Sequence, residues 1–127
     1  MRKLMLVVLL LASSPVWAGW VQMASESAGS SMYADPDSIK IDGQLRQITE
    51  LHDFKAPDKA RGNRSTKVIA EYDCKEGRIR VLQEEYFSGQ MGAGERLGGN
   101  SEPSNWFSAV PGTRGATLLK YVCSRSA

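Results

Sequence analysis

Histidine occurs once in this chain, at His52, and cysteine only twice, at Cys74 and Cys123. That scarcity removes most of the chemistry by which a sequence announces an enzyme. There is no G-x-S-x-G elbow, so a Ser–His–Asp hydrolase lacks its nucleophile turn. Two cysteines without clustered histidines make a poor zinc site, and neither metal nor cofactor is expected. The glycine-rich run Gly92–Gly99 has the spacing G-x-G-x-x-x-G and no strand–helix frame around it. Glu95 would meet the phosphates there, so a hairpin or loop is expected rather than a dinucleotide cradle. Beyond residue 18 the chain has no long apolar run, no internal repeat and no second domain.

The one apolar run is at the start. Arg2 and Lys3 precede Leu4–Ala12, and the segment closes on Val16-Trp17-Ala18. A basic n-region, an apolar h-region and small residues at the exit are the pattern of a secretory signal peptide cleaved after Ala18. About nine apolar residues fall well short of the roughly twenty that span a bilayer. The expectation is therefore residues 1–18 as signal and 19–127 as a single exported domain, periplasmic or secreted, that does not span the membrane. The exit carries no Cys, so no lipid anchor is expected. Without Arg2 and Lys3, the 16 basic residues of the whole chain fall to match the 14 acidic ones. The basic balance thus belongs to the precursor, and nucleic acid is not an expected partner.

Export also changes the reading of the cysteines. An even count in an oxidising compartment points to a disulfide, and two cysteines leave one connectivity. Free thiols or a metal pair are the alternatives. Closing a loop of roughly fifty residues stabilises a fold by about 4 kcal/mol in the chain-entropy model.

Hydrophobic periodicity gives the fold class. Gly19–Ser25 reads as a first short strand with Trp20 as core anchor, and Ser30–Ala34 as a second. Asp35-Pro36-Asp37-Ser38 reads as a turn, Ile39–Ile41 as another brief strand, and Asp42-Gly43 as a hairpin dipeptide. Three longer runs follow. In Gln44–Phe54, Leu45, Thr49 and Leu51 oppose Arg46, Ile48, Glu50 and His52. In Thr66–Cys74, Thr66, Val68, Ala70, Tyr72 and Cys74 oppose Lys67, Ile69, Glu71 and Asp73. In Gly77–Phe87, Ile79 and Val81 oppose Arg78, Arg80 and Glu84. Period-two alternation with short turns predicts an antiparallel meander. Ser88–Asn105 reads mostly as loop. In Arg114–Cys123, Leu118, Leu119, Val122 and Cys123 share a helical stripe and Thr113 is a suitable N-cap, although Gly115 weakens the helix. The expected fold is α+β: a meander of about five to six strands with a C-terminal helix tied to it by one disulfide.

Few side chains stand out as functional. His52 and Glu50 share a strand face, which suits a half-exposed histidine beside a salt-bridging acid better than a catalytic base. Lys55, Lys59, Arg61 and Arg64 cluster on the loop between two strands, where they form either a solvated tip or a grip on acidic partners. Asn63-Arg64-Ser65 fits the glycosylation pattern. Trp106 and Phe107 either cap the core under the helix or form a contact patch.

Several segments in order resemble one known family. They are Met32-Tyr33-Ala34-Asp35-Pro36-Asp37-Ser38-Ile39, then Glu71-Tyr72-Asp73-Cys74 with Ser65, Lys67, Arg78, Arg80 and Tyr86 around it. Trp106, Val110-Pro111-Gly112-Thr113 and Cys123 complete the set. Together they resemble the surface-adhesin protein E-like family of exported bacterial proteins over nearly all of Trp20–Cys123. The resemblance implies a small α+β domain, often dimeric; the residues themselves give no expectation of enzymatic activity. It also implies binding of host matrix proteins such as vitronectin, laminin and plasminogen. The family's namesake is a lipoprotein held at the cell surface, a feature for which this sequence offers no Cys. A periplasmic inhibitor or accessory factor, acting on another exported protein such as a lysozyme, is the alternative function.

Overall fold

The computed structural model describes residues 19–25 and 29–125; the expected signal peptide, residues 1–18, lies outside them. The alternating runs form strands in simple succession: β1 (Val21–Ser25), β2 (Ser30–Asp42), β3 (Leu45–Phe54), β4 (Ser65–Asp73), β5 (Arg78–Phe87) and β6 (Arg96–Asn100). Each pairs antiparallel with the next, and the two-residue β7 (Phe107–Ser108) joins the seven-stranded sheet beside the start of β5. A helix, α1 (Arg114–Cys123), follows. The α+β meander read from periodicity is the observed fold, and Cys74 is bonded to Cys123.

Asp42 pairs with Leu45, leaving Gly43 and Gln44 as a two-residue loop. Gly43 sits there at φ 56, the left-handed region that an L side chain resists. The Asp35–Ser38 cluster departs from the expected turn. It is a bulge inside one continuous β2, where the pairing jumps from Asp35–Thr49 to Lys40–Gln47. Ser38 explains why the chain does not reverse. Its Oγ accepts from the Thr49 amide (2.8 Å) and donates to the Asp35 carbonyl (2.6 Å), replacing the ladder bond that the bulge removes.

The core lies between one face of the sheet and α1. Met32, Ala34, Ile48, Val68, Ala70, Tyr72 and Ile79 supply the sheet side, Leu118 and Val122 the helix side. The predicted cap is present, since the Thr113 hydroxyl accepts from the Ala116 amide at 3.3 Å. Gly115, which argues against helix on propensity alone, permits close packing: a Cβ there would lie 2.8 Å from Ile79 Cδ1. The first turn of α1 thus meets Ile79, and its last residue is bonded to Cys74. The helix therefore covers the half of this face nearest the β4–β5 turn and leaves the other half open.

Two aromatic expectations are corrected. Trp20 is only half-buried and belongs to a shallow cleft with Tyr33, Asp53 and Met91, not to the core. Trp106 and Phe107 do not cap the core under α1 either. Trp106 stacks with Arg78 and Arg80 at 4.4 and 4.6 Å from its ring centre, and Phe107 is 49% exposed. Ser88–Asn105 also contains more structure than expected, a 3₁₀ turn at Gln90–Gly92 as well as β6. Leu51, on the sheet face away from α1, is fully buried and lies 3.7 Å from where a Gly92 Cβ would stand, so that turn roofs the second face.

Candidate functional site

Where α1 does not reach, the helix-bearing face of the sheet forms an open groove of about 340 Å³. Its position follows from strand parity. Glu50, His52 and Phe54 come from β3, and Thr66 and Val68 from β4. Simple alternation along β5 puts Glu84 opposite Val81, but the structure places both on the groove side. The cause is a bulge. Gln83 pairs with Ile69 and Val81 with Ala70, so Leu82 is inserted and parity shifts by one. Glu84 and Tyr86 thereby enter the groove, a placement that no alternation rule read from the sequence would supply.

Glu50 is the most deeply buried of the Glu, His and Arg residues lining the groove. It is 4% exposed, and the Tyr72 hydroxyl donates to its Oε2 at 2.5 Å. Burial, then the charge of Glu50 and the hydrogen bond to it, push the Tyr72 hydroxyl far above its ordinary value, so it remains a proton donor. Glu50 Oε1 has His52 Nε2 at 3.6 Å, and that nitrogen is buried without a hydrogen-bond partner. The half-exposed histidine beside an acid is therefore as read from the sequence. Above it, Tyr86 donates to Glu84 Oε2 at 2.6 Å, and this bond raises the Tyr86 hydroxyl from its usual value. Arg114 stands at the start of α1 and reaches Ser30 Oγ at 3.5 Å. Phe107 completes the wall.

The four basic loop residues occupy unlike positions. Asp58 organises the loop: its Oδ1 accepts from the amides of Ala60 and Arg61, both at 2.9 Å, and these two bonds hold its carboxyl below the usual range. Arg64 turns back to donate to the Lys55 carbonyl at 2.7 Å, bracing the base of the loop. Lys55 and Lys59 are exposed. Arg61 is exposed too, but its guanidinium lies 4.5 Å over the Tyr86 ring and lines the groove. The loop and the groove are therefore one continuous surface joined at Arg61. Asn63 is 1% exposed, with Nδ2 donating to the Ser65 carbonyl and to Thr66 Oγ1, so the glycosylation pattern falls on a buried structural side chain.

Among the described residues no group of three or more His, Cys, Asp or Glu is placed to hold a metal, and no helix is long and apolar enough to cross a membrane.

The family profile of surface-adhesin protein E matches residues 20–124. The chain belongs to that family. Its fold is also that of Haemophilus influenzae protein E. Crystal form II of that protein superposes with a TM-score of 0.65 at 16% identity, covering 84% of this chain and 88% of that one. The selenomethionine form gives 0.64 at 17% identity over 84% and 87%. Protein E from a non-typeable strain gives 0.60 at 16% over 84% and 76%. Comparison with curated protein sequences gives no match. Membership in the adhesin E family thus agrees with the ordered segments read from the sequence, and at these identities the solved structures speak for the fold. Of those segments, Glu71-Tyr72-Asp73-Cys74 now has a structural role. It holds the Tyr72 donor, the Asp73 turn anchor and the disulfide at the helix-covered end of the sheet.

Proposed function

We propose that this adhesin E-like protein is an exported, non-enzymatic binding module of the bacterial envelope, and that it binds host matrix proteins through the tip of the 55–64 loop and the adjoining groove mouth. The observation that carries the reading is Arg61 on Tyr86, which makes a charged loop and a partly apolar groove into one surface. Lys55, Lys59 and Arg61 supply exposed positive charge for steering toward acidic partners. Phe107 and Val110, 49% and 56% exposed, offer apolar contacts near the groove. The chemistry favours binding over catalysis, because His52 faces a carboxylate and its Nε2 has no hydroxyl or thiol in hydrogen-bond reach.

The reading requires exposure outside the cell. Protease treatment of intact cells should degrade the mature protein while periplasmic markers survive. Complete protection in intact cells, with digestion only after the outer membrane is opened, would contradict it. The expected signal peptide is tested in the same preparation: the N-terminus of the exported protein should be Gly19.

A further inference from the structure

We infer that the floor of the groove is a receptor for a basic side chain, an alkylguanidinium or alkylammonium group presented by the protein partner. The inference rests on the groove being part of the binding surface, and it adds what that part of the surface recognises.

Glu50 is 4% exposed. A carboxylate this deeply buried is costly unless its oxygens are satisfied. Oε2 is satisfied by Tyr72, and Oε1 has His52 Nε2 at 3.6 Å, beyond hydrogen-bond length. The same carboxylate lines the groove, so a donor arriving from solvent can reach it. Glu84 repeats the arrangement at the next level, with one oxygen bonded to Tyr86. The walls between them are apolar or aromatic: Met32, Phe54, Val68, Val81, Tyr86 and Phe107. Carboxylates at depth and an apolar shaft above them fit the alkyl stem and cationic head of Arg or Lys.

Arg61, by contrast, is exposed and lies on the Tyr86 ring. A charge at the solvent-facing mouth is screened, whereas the Glu50 charge acts through lower-dielectric surroundings. The floor therefore selects a cation, while the mouth favours acidic groups flanking it on the partner.

The test is a titration of the isotopically labelled mature protein, disulfide intact, with N-acetyl-arginine amide, followed by amide chemical shifts. N-acetyl-norleucine amide serves as the neutral control. Saturable shifts at Glu50, His52, Thr66 and Glu84, at least about tenfold weaker in Glu50→Gln and absent with the neutral probe, are expected. Gln keeps an acceptor for Tyr72, and an unchanged spectrum elsewhere shows that the variant folds. If it does not, Glu84→Gln takes its place, with a loss of at least about threefold expected. Equal affinity of variant and wild type, equal response to the neutral probe, or no shift in the groove would overturn the inference. None of these results bears on matrix binding through Lys55, Lys59 and Arg61, so the two readings fail separately.

Discussion

Asp73 shows how a single side chain closes a turn in this fold. Its carboxylate accepts from Gln44 Nε2 (3.0 Å), the Lys75 and Glu76 amides (3.1 Å each) and Arg78 Nε (3.1 Å). Burial alone would raise its pKa; the bonds from the Glu76 amide, Arg78, the Lys75 amide and Gln44 outweigh that and hold it below the usual carboxylate value. A carboxyl depressed in the folded state stabilises the protein above its unfolded pKa, and this contribution is lost as pH falls through the folded value. Asp73→Asn should therefore lower stability at neutral pH and flatten the loss toward acid, as read by urea unfolding at several pH values down to about pH 2. An unchanged acid slope would contradict this. Asn63 is a second residue whose role is structural. Asn63→Ala should cost about 1–3 kcal/mol in the same assay, because it leaves the buried Ser65 carbonyl and Thr66 hydroxyl without their donor. No loss of stability would remove that role.

Among the elements, α1 and β5 carry the instructive departures from sequence reasoning. Gly115→Ala should gain helix propensity yet lose more by crowding Ile79, a net cost of about 1 kcal/mol. In an Ile79→Val background, which removes Cδ1, the same change should become neutral or stabilising. Equal effects in both backgrounds, measured by thermal unfolding, would rule out the close approach as the reason for glycine. Strand β4 was legible because its alternation holds from Thr66 to Tyr72, and β3 because it is an extended run that opens just after the Asp42-Gly43 hairpin signal. The helix was legible from Thr113 and the Leu118–Val122 stripe. What was hidden has a physical cause in each case. β6 includes Gly98 and Gly99, which carry no side chains to alternate, although their backbones pair with Tyr86 and Glu85. The β2 bulge borrows turn residues without turning, because Ser38 repairs the ladder. The candidate groove was half visible, through Glu50 and His52. Glu84, Tyr86 and the reach of Arg61 depend on a one-residue bulge and a loop path, and neither leaves a periodic signature.

At the scale of the whole molecule, the disulfide and the helix divide the sheet into a closed end and an open one. The bond spans a sequence separation of 49 residues and fastens α1 over the closed end. Its reduction, or Cys74→Ser with Cys123→Ser, should lower stability by about 2–4 kcal/mol, as read by chemical unfolding. Loss of the helix-covered core before the rest of the sheet would fit its position. The open end is the account's functional claim. Its most direct test is the binding of the oxidised, exported protein to immobilised vitronectin and laminin, over a range of salt. Wild type should bind saturably and more weakly as salt rises, and Lys55→Ser, Lys59→Ser and Arg61→Ser combined should reduce affinity by at least about tenfold. Undiminished binding by the triple variant, or no saturable binding by wild type even at low salt, would contradict the account.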